Sequence, residues 1–259
     1  MKKLKCINLI NLMDRGVGYM PFEKDSLIYL NLTSTVKETN ELIETTLEEK
    51  AKEHNVHDPT RKYTSRLVAI GEGWVLEGLD SKLREMSVSE KATVEIPPEK
   101  AFGIWDPSKV RILPLRRFGE KATQLKVGDE IELDNKICYV KLIGSGRVHV
   151  DFNHKLAGKT IEYEVEIIEE LKGDEEKVRA LFSRRIPIDK EKLKFSIQES
   201  IITFELPEEI YLEEGLQIVK RALSNDVFKF LLAINKVVFQ ENYEKPKTEK
   251  EEPKQETKS

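Results

Sequence analysis

Cysteine is nearly absent: the 259-residue chain carries two, Cys6 and Cys138, far apart and without paired spacing. That excludes a disulfide scaffold and suits a reducing, cytoplasmic compartment. Long apolar runs are missing too. No stretch approaches the ~20 residues of a membrane span, so no membrane partner is expected. The start MKKLKCINLINLM imitates a signal peptide, but two asparagines interrupt it and no small-residue cleavage site follows. A basic excess is also lacking, since 43 Lys and Arg stand against 47 Asp and Glu, a net charge of −4. Neutralising phosphates takes a basic face, so nucleic acid is not expected as a partner. Aromatics are only 7%, so any aromatic-lined site must be small.

Catalytic constellations are scarce as well. Gly71-Glu72-Gly73 and Gly144-Ser145-Gly146 are lone turns, not phosphate cradles. His54 and His57 lie three apart but have no third ligand nearby, so no metal is expected. His149 and His154 lack a Cys or Ser nucleophile in triad context, and Cys138 alternates within an apolar strand as a packed residue. Acid–base, metal and cofactor machinery are therefore not visible. Such a chain suits a reaction that needs only binding and desolvation.

What is present is a set of cores, with 39% hydrophobic residues and length for one large or two to three small domains. Residues 1–21 read as a disordered extension, and Met20-Pro21-Phe22-Glu23 as an alternative internal start. Leu27 to Leu32 is a strand, Thr35 to Thr46 a strand–turn–strand, and Leu47 to His54 a short helix. After a strand at Leu67 to Ile70, Trp74-Val75-Leu76-Glu77-Gly78 opens a helix with Leu76, Leu79, Leu83 and Met86 on one stripe. Ala92, Val94 and Ile96 alternate in a strand that Pro97-Pro98 stops, since proline cannot donate to a ladder.

The character then changes. Val110 to Pro114 is strand-like, and residues 127–152 form a three-stranded meander turning at Asp134-Asn135 and Gly144-Ser145-Gly146. Ile161 to Leu171 is a long alternating strand returning to the first sheet. Asp174 is read as capping a helix with Val178, Leu181 and Phe182. Strands follow over Lys192 to Gln198 and Ser200 to Leu206. Pro207 then opens a helix whose stripe starts at Leu212, and a strand at Lys236 to Gln240 completes an α-β-β-α-β unit. The tail over 243–259 is charged, Pro-containing and nearly free of apolar residues, hence disordered.

Four segments in this order resemble the FKBP-type peptidyl-prolyl isomerases, specifically the archaeal long form and its SlyD relatives. They are VKETNELIET from Val36, VLEGL from Val75, PPEKAFG from Pro97, and DFNH…LAGK from Asp151. The resemblance spans about residues 22 to 171. It implies an α+β fold: an antiparallel half-barrel on one helix over 22–103 and 158–172, and an inserted all-β chaperone domain over 104–157. The α-β-β-α-β unit over 173–242 resembles the appended domain that is associated with dimerisation. It further implies an X–Pro isomerase of unfolded or nascent polypeptides, with no cofactor. The proline pocket would be floored by Val75, Leu76 and Leu79 and walled by Leu32, Ile43, Val68, Phe102, Leu156 and Tyr163, with Glu44 as the acidic residue beside it. The family commonly has Tyr where this chain has Phe102, so a hydroxyl that bonds the substrate backbone is missing. The alternative is a holdase or dimeric binding module with weak isomerase activity. As plain packing residues, Val75, Leu76, Leu79 and Tyr163 serve a core in either case.

Overall fold

The computed structural model describes residues 22–186, 188 and 192–243, so the expected extension over 1–21, the Met20 start and the tail beyond Tyr243 lie outside the described residues. Two compact units divide the chain, one ending at Leu171 and one beginning at Lys172. The first runs β1 (Leu27–Val36), β2 (Glu41–Thr45), α1 (Glu48–Glu53), β3 (Arg66–Ala69), α2 (Glu77–Leu83) and β4 (Lys91–Ile96). It continues with β5 (Val110–Pro114), β6 (Glu130–Leu133), β7 (Lys136–Gly144), β8 (Arg147–Asp151) and β9 (Ile161–Leu171).

The larger sheet is built on β1. One of its edges pairs with β9 from Leu27 to Val36, and the other is shared, β3 taking Leu27–Leu30 and β2 taking Thr33–Val36. β4 pairs with the far edge of β9, and every pairing is antiparallel. Alternate residues Ile28, Leu30, Leu32 and Val36 of β1 face one core with Ile161, Val165 and Ile167 of β9. Helix α2 lies against that face and buries Leu79 and Leu83, with Met86 just beyond its end. Trp74 and Val75, expected inside the helix, precede it, and Leu76 occupies the N-cap position. The chain turns through left-handed Gly71 and Gly73 first, which delays the helical run. Asp80 ties the helix to that turn, accepting from the Gly71 N–H at 2.8 Å and from Arg84 Nε and Nη2 at 3.1 and 2.8 Å. Gly78 sets how closely α2 sits on β4, because a Cβ there would lie 3.1 Å from Ile96 Cγ2. The result is an antiparallel half-barrel wrapped on one helix.

The second sheet has the order β5-β8-β7-β6. The meander thus has a fourth strand, with Val110 to Pro114 paired along β8. Its hairpins turn at Asp134-Asn135 and Ser145-Gly146, all with positive φ, the geometry that matches strand twist in two-residue loops. Cys138, Val140, Val148 and Val150 fill its small core.

The second unit contains α3 (Asp174–Arg185), β10 (Lys194–Gln198), β11 (Ile201–Glu205), α4 (Leu216–Phe230) and β12 (Lys236–Gln240), an α-β-β-α-β order. β10 and β11 are antiparallel, and β12 joins β11 in parallel across α4. Phe204 is fully buried, with the rings of Phe182, Phe195 and Phe239 at 5.3, 6.1 and 5.6 Å. Arg185 binds Asp226 through Nε and Nη2 at 2.7 and 3.0 Å, joining α3 to α4. Three expectations change here. Gly173, not Asp174, holds the N-cap of α3, and Asp174 is its first residue, where a carboxylate favours the positive helix end. The first strand begins at Lys194 rather than Lys192. Pro207 introduces only a single 3-10 turn (Glu208–Ile210), and α4 starts after Gly215, leaving Leu212 97% exposed. Leu223→Ala, inside α4, should cost about 2–5 kcal/mol in denaturant unfolding of this unit. Leu212→Ala should stay within about 0.5 kcal/mol of wild type, the cost of an ordinary surface change.

Candidate active site

All nine apolar residues expected at the pocket belong to one hydrophobic cluster in the half-barrel. They come from β1, β2, β3, β9, helix α2 and its N-terminal approach, and the two chain segments that lead into and out of the β5–β8 region. Leu32, Val68 and Leu79 are at most 1% exposed, so they lie behind the surface and set its shape. Val75, Leu76, Ile43 and Phe102 are partly exposed against that floor, and Leu156 and Tyr163 are buried beside them. A ligand would therefore touch the second group.

Ile43 reaches the cluster through a local irregularity. Ser34 faces Glu44 and Thr35 faces Leu42, so Ile43 is the extra residue of a β-bulge. A bulge re-aims side chains, which lets Ile43 pack inward while Glu44 stays opposite Ser34. Glu44 is clamped by Arg66, whose Nη1 donates to both carboxylate oxygens at 3.1 and 2.9 Å. Nothing in the sequence pattern announces Arg66; the pairing of β3 with β1 brings it there.

Two further residues escape sequence reasoning. Ser34 is fully buried in the alternating row Leu30, Leu32, Ser34, Val36, a polar interruption that the strand period could have flagged. His154 stacks flat on Phe102, with ring centroids 4.6 Å apart and planes 1° from parallel. Its Nδ1 also accepts from the Leu156 N–H at 3.2 Å, so one imidazole braces two walls of the site. Burial pushes the Tyr163 phenol up to about 12, with the Glu44 carboxylate adding to the shift and Arg66 and Ser34 opposing it. The hydroxyl therefore keeps its proton throughout the neutral range.

The segments crossing between the two sheets are pinned together. Trp105 Nε1 donates to Asp151 Oδ2 at 2.9 Å, and Asn153 donates to Asp151 Oδ1 from its backbone N–H and from Nδ2 at 2.9 and 2.7 Å. Asn153 also exchanges bonds with the Asp106 backbone at 3.0 and 2.8 Å. The Gly158 N–H donates to the Gly103 carbonyl at 2.8 Å, and Gly158, at φ +75°, has Trp105 where a Cβ would go, 2.9 Å away. Burial alone would raise the Asp151 carboxyl, but the bonds from Trp105 and Asn153 hold it below its usual value.

Elsewhere, a cavity of about 400 Å³ opens against the outer face of the large sheet, lined by Asn31, Thr33, Leu47, Lys50, Thr93 and Glu164 among others. None of the expected site residues lines it. Among the described residues, no group of three or more His, Cys, Asp and Glu is placed to hold a metal. His57 instead lies 3.2 Å from Glu48 and stacks on Tyr63. No helix among them is long and apolar enough to cross a membrane.

Comparison with known proteins now bears on this geometry. A probable FKBP-type 16 kDa peptidyl-prolyl cis-trans isomerase of Pseudomonas fluorescens is 34% identical over 103 residues, 39% of this chain and 69% of that protein. The FKBP-type 16 kDa isomerase of Escherichia coli is 30% identical over 111 residues, covering 40% and 72%. The chain belongs to the FKBP-type peptidyl-prolyl cis-trans isomerases. A short-type peptidyl-prolyl cis-trans isomerase of Methanocaldococcus jannaschii is 29% identical over 139 residues, 54% of this chain and 88% of that protein. This FKBP-type chain is thus the longer one, and two family models match within it. The model described as "FKBP26, IF domain" matches residues 111–156, and "FKBP26_C-terminal" matches 174–244. The three FKBP domains of wheat FKBP73 match 60% of this chain and 43% of that one at 19% identity, with a TM-score of 0.31, too loose a likeness to argue from.

The Asp151 knot generates a pH prediction. A carboxyl held below its usual value adds stability above the unfolded value of about 3.9 and loses it as pH falls through the folded value. Asp151→Asn should therefore be less stable at pH 7 by roughly 1.5–3 kcal/mol, the worth of charge-assisted bonds. The gap to wild type should close as pH falls below about 4 in paired thermal melts.

Proposed function

We propose that the chain accelerates cis–trans rotation about X–Pro bonds of unfolded or folding polypeptides at this pocket, with neither covalent catalysis nor a cofactor. The observation that carries the reading is the convergence of Val75, Leu76, Ile43 and Phe102 as a partly exposed apolar face over a closed floor. The uncatalysed rotation crosses a barrier of ~18–20 kcal/mol and takes tens to hundreds of seconds. Water favours the planar, polar amide. An apolar wall around the proline ring removes that solvation and favours the twisted, less polar state. Glu44, already paired with Arg66, orients its surroundings rather than taking a proton. The unpaired, buried Cys138 supports a cytoplasmic setting.

Residues 22–103 and 158–172 would be the isomerase domain and 104–157 the inserted chaperone domain, with exposed Ile112, Val127, Ile137 and Leu142 available to apolar client segments. The unit over 173–242 would carry a homodimer contact, supported by exposed Leu212, Ile218, Phe228 and Leu232. A second reading, a holdase or dimeric binding module with weak isomerase activity, is supported by Phe102, which supplies no hydroxyl.

In a proline-limited refolding assay, micromolar wild type should speed the slow phase, and Val75→Glu should lose at least roughly tenfold of that effect, since a carboxylate in the apolar face opposes desolvation. No acceleration by wild type would sink the isomerase reading. Phe102→Tyr raising the rate several-fold would show that the missing hydroxyl limits it. Deleting residues 104–157 should abolish aggregation suppression; suppression left intact would remove the insert as the client site. Sedimentation should show a dimer, and a monomer at high concentration would end that part of the proposal.

A further inference from the structure

Three polar side chains beside the expected pocket lie in one row. Register across three adjacent strands puts Glu44 of β2, Ser34 of β1 and Tyr163 of β9 side by side, with Val94 of β4 completing the line. Ser34 and Tyr163 are the hydroxyl-bearing members, 0% and 5% exposed. The Ser34 Oγ has no hydrogen bond of ordinary geometry among the described residues, yet it is close enough to the Tyr163 phenol to influence its ionisation. A buried hydroxyl without a partner destabilises a fold, and an alanine at the same place would not. The row therefore holds hydrogen-bonding capacity that the folded chain does not use for its own stability. Its Tyr163 and Val94 belong to the cluster that holds the expected pocket, and its Glu44 is paired with Arg66.

We infer that the Tyr163 hydroxyl is the hydrogen-bond donor of the reaction, directed at the prolyl imide nitrogen as the X–Pro bond twists, with Ser34 as the residue that positions it. This rests on the pocket reading given above. In the planar amide the nitrogen lone pair is delocalised into the carbonyl and accepts nothing. Rotation through 90° breaks that conjugation and localises the pair on nitrogen, which then becomes an acceptor. A donor aimed there strengthens only in the twisted state, which is the requirement for lowering a barrier rather than for tightening binding. Ionised tyrosine could not donate, and burial pushes this phenol still further from ionising. No bond is made or broken and no proton is transferred. Ser34 turns its otherwise unpaired oxygen toward the phenol and narrows the orientations that the O–H can adopt. Phe102 offers no hydroxyl of its own, so in this inference the row supplies the polar contact.

The test uses the full chain and a chromogenic or fluorogenic X–Pro peptide series, with kcat and KM separated. Tyr163→Phe keeps the ring and its packing, and should lower kcat roughly tenfold with KM within about twofold. Ser34→Ala should lower kcat less, by roughly threefold, while its melting temperature stays level or rises because the unpaired hydroxyl is gone. The double variant should be no slower than Tyr163→Phe alone, since both act through one donor. Activity falling while stability does not is a pattern that a purely structural role would not produce. Wild-type kcat in Tyr163→Phe would overturn the inference, as would a loss confined to KM. In either case inactivity of Val75→Glu would leave the pocket reading standing. Wild type idle on every peptide would overturn both.

Discussion

Strand β9 is the member on which the half-barrel depends. It pairs with β1 over its full length on one edge and with β4 on the other, placing Ile161 beside both Val36 and Ile96. Between Ile96 and Ile161 the chain leaves the sheet, builds a second sheet and comes back. The core of the large sheet is therefore incomplete until a distant segment has returned in register. A slip of one residue would turn Tyr163, Val165 and Ile167 to the outer face and put Glu162, Glu164 and Glu166 into the core. The alternation over residues 161–167 of β9, apolar or aromatic against glutamate, is what makes that error costly.

The same register sets which side chains meet at the proposed pocket. Apolar side chains set a low local dielectric, and within it one polar row crosses the sheet at right angles to the strands. Each member is handled differently. Glu44 is neutralised by Arg66 at the edge, Tyr163 has its phenol pushed further from ionising by burial, and Ser34 is left without an ordinary bond. Electrostatic interactions are strongest where water is excluded, so a neutral donor there has more effect than the same group at the surface. The β-bulge at Ile43 is the backbone device that lets an apolar wall and a carboxylate come from adjacent residues.

Much of this was legible in sequence where structure follows local period. The alternation over residues 161–167, the Pro-Pro stop after β4, and the pair Leu79 and Leu83 each answer to one element. The apolar residues that the resemblance implies for a pocket lie in one cluster in space. What was not legible depends on partners distant in sequence. Arg66 meets Glu44 only because β3 and β2 share an edge of β1, and the Ser34–Tyr163 row needs the register across β9. The start of α4 misled for a different reason. Proline suits a 3-10 turn as well as a helix, and Leu212 falls by chance four residues before the true first stripe position, Leu216. His154 was visible but dismissed, because stacking and bracing leave no triad spacing to read.

The bond from Gly158 to Gly103 joins the chain where it departs the half-barrel to the chain where it comes back. Together with the knot around Asp151 it works like a socket with two fixed contacts. Anything plugged into it must have its two ends equally close, and little else is demanded of it. Because the entropy of closing a loop grows by only about 0.6 kcal/mol per doubling of length, the size and shape of the plug are nearly free to vary. A longer or shorter segment could then close at this point while the strand register behind it stays as it is.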